Sequence, residues 1–375
     1  MAETDARGPW RLLPNRVGRF YRGGLMIDEL RGEAVPHDSD RPEDWVGSAT
    51  RAWTPPGSVP SDEGLGEAEL QGGTRVRVAD VLEADPAAIA GEGLIAAAGI
   101  PTSGVLVKFL DAGVRLPVHA HPDREFARRH LGSFFGKAEA WIVLATRDLP
   151  GEPAPHVRLG FRRDVGRDEL RRWIDEQHTK ELLAAMHSRP AAAGEVWFIP
   201  PGTPHAIGAG LFILEVQEPT DFSIVAETRG FPVDTTAASV GLGWDVAIDA
   251  FDRRGLDDVA LERLRVDARP PAAGDRPNEF QPLLPEEAAP FFRAFRVRVE
   301  GLFRPELEPA FLVGIVTDGG GVARTTGGEL TIARGSTFGV PASELPGLEL
   351  EAPDGLTLVA CLPPRPADLA AGAST

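Results

Sequence analysis

The sequence predicts a mainly β protein in which a metal-bearing β-barrel is followed by a smaller barrel without metal. Two short motifs that are far apart in the chain, around residues 119–121 and 205, predict the first barrel because they close a metal cage only when they come together. Alternating and apolar runs after residue 290 predict a second group of strands. We therefore expect three regions: residues 1–250 with the metal-bearing barrel, a connecting region at 251–290, and the second barrel at 291–375.

The first motif lies between Gly113 and Gly132. It contains His119-Ala120-His121, then Glu125 after three residues and Gly132 after six more. Side chains two residues apart on a strand point to the same face of the sheet. If this segment is a strand, both imidazoles enter one cavity.

The second motif begins at Gly194 and ends at His205, with Pro200 and Gly202 between them. A barrel can bring this third imidazole to the first two from a distant strand. Three imidazoles and a carboxylate fit zinc, and also iron, manganese, nickel or copper, so the ligand types do not select the metal. Each fragment alone is also typical of an ordinary core or surface histidine, but the two spacings in this order favour a metal site.

These stretches resemble the paired motifs of the cupin superfamily, which are jelly-roll-like β-barrels. The residues around them are similar, more narrowly, to type I mannose-6-phosphate isomerases. The similar segments are the opening run FYRGGLMIDELRG, residues 107–112 (VKFLDA), residues 136–141 (GKAEAW) and residues 194–221. This resemblance covers nearly the whole chain and implies a cupin fold with a metal-bearing barrel.

The resemblance implies a zinc-dependent isomerase that interconverts mannose 6-phosphate and fructose 6-phosphate, with manganese or iron as other metals. Its metal ligands fall on His119, His121, Glu139 and His205, although the family usually has glutamine where this chain has His119. General cupin spacing selects Glu125 as the carboxylate, whereas the isomerase pattern selects Glu139 and leaves Glu125 as a supporting or substrate-contacting group. We favour Glu139 because of the GKAEAW match.

An aldose–ketose isomerase also needs a base beside the metal. Lys137 is the first candidate, because it lies two residues before Glu139 and a cation beside a divalent metal gives up its proton more readily. Lys108 is the second, as an acid or substrate-orienting group. Each could equally be a solvated lysine, but the chain has few lysines.

The main departure from the family pattern is the absence of an arginine that the family uses in substrate handling. The family usually carries one a few residues after the Pro-Thr-Asp step, which here is residues 219–221, but apolar residues follow in this chain. Arg229 is the nearest replacement. If no other cation binds the phosphate in its place, we expect an isomerase or epimerase whose substrate is a sugar without phosphate. Two further alternatives are a non-catalytic sugar-binding cupin, which needs no base over the metal, and oxygen activation at iron, which needs an apolar pocket.

Composition sets limits on the function. The chain has 375 residues, 42% hydrophobic and 25% charged, and a net charge of −17, which argues against a nucleic-acid partner. A single cysteine, Cys361, fits a reducing compartment. No segment reads as a signal peptide or a membrane span, so we expect a cytoplasmic protein with a sugar or sugar phosphate as its partner.

The remaining segments predict a helical insert, and residues 327–353 resemble the second, smaller barrel of the isomerase family. Apolar residues at helical spacing predict helices over about 166–188, packed on the barrel and covering its mouth as a lid. All eight histidines lie at or before position 205, so the C-terminal barrel lacks imidazoles for a metal of its own. We expect it to be structural, or to contribute to substrate binding or to homodimer contacts.

Overall fold

A computed structural model describes residues 6–55, 57–59, 61–269 and 278–372 of the chain. The first hundred residues form short elements, as their glycine and proline content predicts. They are β1 (Trp10–Leu12), β2 (Arg16–Val17), α1 (Leu25–Arg31), β3 (Glu43–Val46), β4 (Glu67–Glu69), β5 (Arg75–Arg77), α2 (Val78–Ala84), α3 (Pro86–Ala90) and α4 (Glu92–Ala98).

The middle of the chain carries the metal motifs and the helical insert. Its elements are β6 (Leu106–Asp111), β7 (His119–Ala120), α5 (Arg124–Phe126), β8 (Glu139–Thr146), β9 (His156–Phe161), α6 (Arg167–Asp175), α7 (Thr179–Ala185), β10 (Met186–Pro190), β11 (Glu195–Ile199), β12 (His205–Ile207), β13 (Leu211–Gln217), β14 (Ile224–Val225), α8 (Thr235–Ala238), α9 (Trp244–Ala247) and α10 (Asp258–Arg263).

The last third of the chain is dominated by long antiparallel strands. Its elements are β15 (Arg265–Asp267), β16 (Glu279–Pro282), β17 (Arg293–Phe303), β18 (Leu312–Thr325), β19 (Gly328–Ala333), β20 (Thr337–Val340), β21 (Glu349–Leu362) and α11 (Pro366–Gly372).

Two antiparallel sheets form the barrel that holds both metal motifs. One has the strand order β10-β9-β12-β7-β14, and the other has the order β15-β11-β8-β13-β6-β3-β2. Apolar side chains from both sheets pack into one core between them, including Leu110, Trp141, Leu159 and Ile207. The two sheets therefore face each other across the interior into which the motif residues point.

The C-terminal sheet is completed by the beginning of the chain. Its order is β16-β17-β21-β18-β20-β1-β4-β5, with β19 paired to β18, so three strands come from the first 77 residues. The connecting region also contributes, since β15 joins the metal barrel and β16 joins the C-terminal sheet; its residues 270–277 lie outside the described residues. The expected division into regions at residues 250 and 290 stays a prediction. Strands from the first region pair with strands of the last, and β15 of the connecting region pairs with β11.

The helical insert is present as α6 and α7, but the lid expectation is wrong. The apolar faces of these helices, with Leu170, Trp173 and Leu182, pack against Ala120 and Ala206 on the outer side of the five-stranded sheet. That packing uses up the apolar faces. As a result none of the described residues between 166 and 188 lines the cavity inside the barrel.

Candidate metal centre

Strand register brings the histidines together. His119 on β7 is the direct antiparallel partner of His205 on β12, and His121 follows two residues after His119. The candidate ligand atoms of the three side chains all lie within 4.8 Å of one another. The two-residue spacing of His119 and His121, the second of which directly follows β7, and this register gather the three rings.

Backbone carbonyls fix the orientation of each ring. The Nδ1 atoms of His119, His121 and His205 lie 2.8, 2.7 and 2.8 Å from the carbonyl oxygens of Pro117, Phe222 and Thr203. A carbonyl only accepts, so each Nδ1 carries the proton and donates it. The lone pair of every ring is then on Nε2, the nitrogen that faces the centre of the cluster, as is usual for metal-binding histidines.

Glu139 completes the cluster from the opposite sheet. Its Oε2 lies 3.0 Å from His121 Nε2, and its Oε1 lies 3.2 Å from His205 Nε2. Trp141, two residues along β8, donates to Glu139 Oε1 at 3.0 Å and orients the carboxylate. The other candidate carboxylate, Glu125, is exposed on α5, where it pairs with Arg129 and does not reach the cluster.

The cluster fits a metal ion because its centre gathers more acceptors than donors. His205 Nε2 is buried and has no hydrogen-bond partner among the described residues. Facing it are the lone pairs of two other imidazoles and a carboxylate, which repel one another unless a cation lies between them. Lys137 Nζ contacts His121 and Glu139 but donates no hydrogen bond to the Nε2 of His205. Three nitrogens and one carboxylate oxygen are a donor set that zinc, manganese and iron accept.

The buried surroundings set the protonation states of three candidate ligands, His119, His121 and Glu139. Burial, together with the neighbouring histidines, keeps the pKa of His119 well below its usual value. The pKa of His121 falls to about 3, mainly by burial and then by the charge of Lys137. Burial alone would raise the pKa of Glu139, but Lys137 and the histidines outweigh it and lower that pKa. The neutral imidazoles of His119 and His121 and the ionised carboxylate of Glu139 are therefore available at neutral pH.

Both predicted lysines lie in the same buried pocket. Lys137 Nζ is 2.7 Å from His121 Nε2 and 2.8 Å from Glu139 Oε2. Lys108 Nζ lies 3.5 Å from Glu215 and 3.8 Å from Glu43, over the ring of Trp45. Burial opposes the charge on Lys108, but Glu215 and Glu43 outweigh it and raise the pKa of its ammonium. Lys108 is therefore a proton donor at neutral pH.

Four pocket residues were missed by sequence reasoning. Arg19 bonds Asp221 through both terminal nitrogens, at 3.2 and 3.0 Å, and its Nε lies 3.0 Å from Glu43. Glu215 lies on β13 between the two lysines, 3.5 Å from Lys108 and 3.7 Å from Lys137. Only Glu215 had a local signal, since it is an acid inside the apolar run Leu211–Gln217.

Glu215 is poised to titrate near neutrality. Burial raises the pKa of its carboxyl, the nearby Glu139 and Glu43 charges add to that effect, and the two lysines oppose it. The resulting pKa is about 7. A buried acid with a pKa in this range can both accept and return a proton at neutral pH.

Arg229 does not reach the pocket. Its guanidinium is exposed and donates to the carbonyl of Glu176 at 3.1 Å, and its backbone N–H donates to Gln177. The pocket itself has a volume of about 300 Å³ and is lined towards its mouth by Phe20, Trp53, Pro232 and Val233. This volume is at the lower end of the range of about 300–1,000 Å³ that is typical of small-molecule sites.

Sequence comparison confirms the resemblance over part of the chain. No protein-family model matches. A segment of 117 residues is 35% identical to the mannose-6-phosphate isomerase of Streptococcus mutans and spans 31% of this chain and 34% of that protein. The same length is 32% identical to the mannose-6-phosphate isomerase ManA of Bacillus subtilis. The chain thus aligns with about a third of the length of these curated relatives.

Structure comparison extends over about 95% of the chain and confirms the expected fold. A mannose 6-phosphate isomerase structure from Bacillus subtilis superposes with a TM-score of 0.64, at 17% identity over 95% of this chain and 99% of that one. A variant of phosphomannose isomerase from Salmonella typhimurium gives a TM-score of 0.65, at 15% identity over 94% and 98% of the two chains. The chain therefore shares the β-barrel fold of these proteins.

Proposed function

We propose that this chain is a metal-dependent aldose–ketose isomerase acting on a sugar phosphate, with mannose 6-phosphate and fructose 6-phosphate as the first candidate pair. The observation that carries the proposal is the convergence of three oriented imidazoles and Glu139 beside two lysines and Glu215 in one pocket. The local similarity to relatives named mannose-6-phosphate isomerases supports it.

The metal would be held by His119, His121, His205 and Glu139, with zinc as the first candidate and manganese or iron as alternatives. Such an ion polarises a bound carbonyl and offsets the negative charge that develops when the neighbouring carbon loses its proton. The pocket is rich in charged and hydrogen-bonding groups. That composition favours a polyol substrate over oxygen activation, which would need an apolar pocket.

Two groups of the chain are placed to move the proton between the neighbouring carbons. Lys137 is the base that the sequence predicts, and its Nζ contacts the candidate ligands directly. Glu215, with a pKa of about 7, is the second, and it lies 3.7 Å from Lys137. Lys108 stays protonated and donates to a substrate oxygen. A sugar-binding protein without catalysis needs neither group.

The charges of the pocket favour a second candidate, an unphosphorylated sugar. Among the described residues that line the pocket, each cation already faces carboxylates: Arg19 pairs with Glu43 and Asp221, Lys108 lies near Glu43 and Glu215, and Lys137 pairs with Glu139. A phosphate dianion needs charge-assisted donors that are not already engaged. Arg19 is the pocket cation best able to turn towards one, because a guanidinium has five N–H donors.

A turnover assay tests the proposal. Protein reconstituted with zinc, manganese or iron is offered mannose 6-phosphate and free mannose, with and without a chelator. We expect metal-dependent turnover of the phosphorylated sugar and competitive inhibition by millimolar inorganic phosphate. Equal turnover of free mannose without inhibition by phosphate selects the unphosphorylated substrate. Absence of turnover on aldoses of both kinds with every metal refutes the isomerase.

Two arginine variants separate the phosphate from the rest of the substrate. Arg19→Gln should raise KM for mannose 6-phosphate far more than for mannose, because lost uniform binding appears chiefly in KM. Arg229→Gln serves as the matched control. Its guanidinium lies outside the pocket, so KM should stay at the wild-type value.

A further inference from the structure

A second cavity, of about 700 Å³, lies on the other side of the five-stranded sheet from the metal cluster. It is bounded by β9, β10, α7 and the start of α10. The side chains of Val157 and Leu159 enter the barrel core, so Arg158 between them points to the opposite face of the sheet. The polar residues that line the cavity are Arg158, Arg162, His187, Arg189, Asp257 and Asp258.

Arg158 carries a charge that no carboxylate of the described residues pairs with directly. Its Nε is buried without a hydrogen-bond partner, and its terminal nitrogen donates to the carbonyl of Leu183 at 2.9 Å. It forms no ion pair with any carboxylate among the described residues. The charge of Glu227 reaches it, but that carboxylate already accepts from both terminal nitrogens of Arg115, at 2.8 and 2.7 Å, and from the N–H of Val118.

The partly buried guanidinium of Arg158, which forms no ion pair among the described residues, destabilises the folded protein unless a ligand offsets its charge. Burial lowers the pKa of Arg158, which shows that the surroundings disfavour its charge. A partly buried cation with an unmet donor loses the hydration that it had in water and gains little in return. An anion in the cavity would supply the opposite charge that Arg158 lacks.

Arg162 is a second arginine that lines the same cavity without a partner among the described residues. Its guanidinium is exposed and has no hydrogen-bond or ion-pair partner within the described part of the chain, whereas the adjacent Arg163 is paired with Glu169 through two nitrogens, at 3.0 and 2.8 Å. Arg189 pairs with Asp258 at 2.5 Å, and the side chain of Asp257 caps α10. Three arginines thus face two aspartates in a chain whose net charge is −17.

We propose that this cavity binds a phosphate group, carried by a small phosphate monoester or present as inorganic phosphate. Guanidinium groups present parallel N–H donors that match phosphate oxygens. Arg158 and Arg162 provide the unengaged donors, and Arg189 closes the third side. The site is separate from the metal pocket and does not depend on the isomerase assignment.

Phosphate binding to three purified proteins tests the site. Inorganic phosphate and glycerol phosphate are titrated by calorimetry into the wild type, Arg162→Gln and Arg163→Gln. We expect Arg162→Gln to weaken binding by about tenfold or more through loss of a charge-assisted contact, while Arg163→Gln binds like the wild type. Tighter binding of glycerol phosphate identifies a monoester as the ligand, and equal affinities identify phosphate itself.

The control makes the result decisive. The two variants lose the same charge at neighbouring positions, so a general effect of net charge would weaken both equally and would overturn the proposal. Unchanged affinity in Arg162→Gln would overturn it too, because phosphate bound in the metal pocket does not depend on Arg162. As a second measurement, phosphate should raise the Tm of the wild type but not that of Arg158→Met, which keeps the side-chain bulk without the charge.

Discussion

The interiors of the two β-structured regions differ in what they bury. The metal barrel encloses Glu43, Lys108, Lys137, Glu139 and Glu215, all nearly inaccessible to solvent. The C-terminal sheet instead packs an apolar cluster, which includes Val297, Leu312, Val316, Phe338 and Leu358. Buried ion pairs contribute little net stability because desolvation offsets their attraction. The comparison indicates that the first interior is built for chemistry and the second for stability.

The largest effect is expected at the metal cluster. His205→Ala removes an imidazole whose Nε2 is buried and has no other partner among the described residues, so bound metal and turnover should both be lost while the fold is kept. Metal analysis and circular dichroism measure the two outcomes. His130→Ala, at an exposed position, is the control and should keep its metal. Full activity of His205→Ala without metal would contradict the claim that the first interior is built for metal-dependent chemistry.

Glu215→Gln tests whether the buried charges serve catalysis. A base with a pKa of about 7 must be deprotonated to act, so wild-type kcat/KM should rise with pH through that value. In the glutamine variant, kcat/KM should no longer increase with pH. It should also be lower than in the wild type by about 100-fold or more, which is the usual contribution of a general base. Glu181→Gln, on the exposed side of α7, should change nothing. An unaltered pH profile in Glu215→Gln leaves Lys137 as the base.

Phe338→Ala probes the apolar interior. This side chain is fully buried in the C-terminal cluster. Its loss should lower the free energy of unfolding by about 3–5 kcal/mol, as for other large-to-small changes in cores. Leu302→Ala, at a position that is 45% exposed, should cost less than about 0.5 kcal/mol. Urea unfolding measures both, and metal content per folded chain should stay the same. Loss of metal in folded Phe338→Ala would show that the interiors are not independent.

Glu43→Gln tests whether a buried carboxylate of the metal barrel is ionised in the folded protein. Burial would raise the pKa of Glu43, but Arg19, Lys108 and hydrogen bonds from Tyr21 and Trp45 lower it to about 2, against an ordinary value of 4.5. The folded state therefore favours the ionised form, which contributes about 3 kcal/mol above pH 4.5 and loses it as the pH falls towards 2.

The measurement is the unfolding free energy between pH 6 and pH 3. The difference between the wild type and Glu43→Gln should shrink as the pH falls below 4.5, whereas exposed Glu67→Gln should follow the wild type throughout. A difference that is constant with pH would contradict the assigned charge state of Glu43.

The two sequence motifs name the histidines that the structure gathers in one cluster. His119 lies on β7, His121 directly follows that two-residue strand, and His205 joins them as the strand partner of His119. The motifs indicate this grouping without any coordinates. The GKAEAW match selected Glu139 over Glu125, and the structure places Glu139 against the imidazoles.

The rest depends on long-range pairing that no local pattern reveals. Arg19 meets Asp221 from about 200 positions away, and β1 joins β20 across most of the chain. The lid expectation failed because helical periodicity shows that α6 and α7 have an apolar face but does not show which surface covers it. Arg229 was chosen by proximity in sequence, whereas Arg19 is the arginine that reaches the pocket.

X-ray absorption on the zinc-loaded protein tests the central claim most directly, because it counts the atoms around the metal. The account predicts one zinc per chain, with three imidazole nitrogens at about 2.0–2.1 Å and a carboxylate oxygen at about 2.0–2.2 Å. A zinc shell with fewer than three imidazoles, or one containing the sulfur of Cys361, would contradict it.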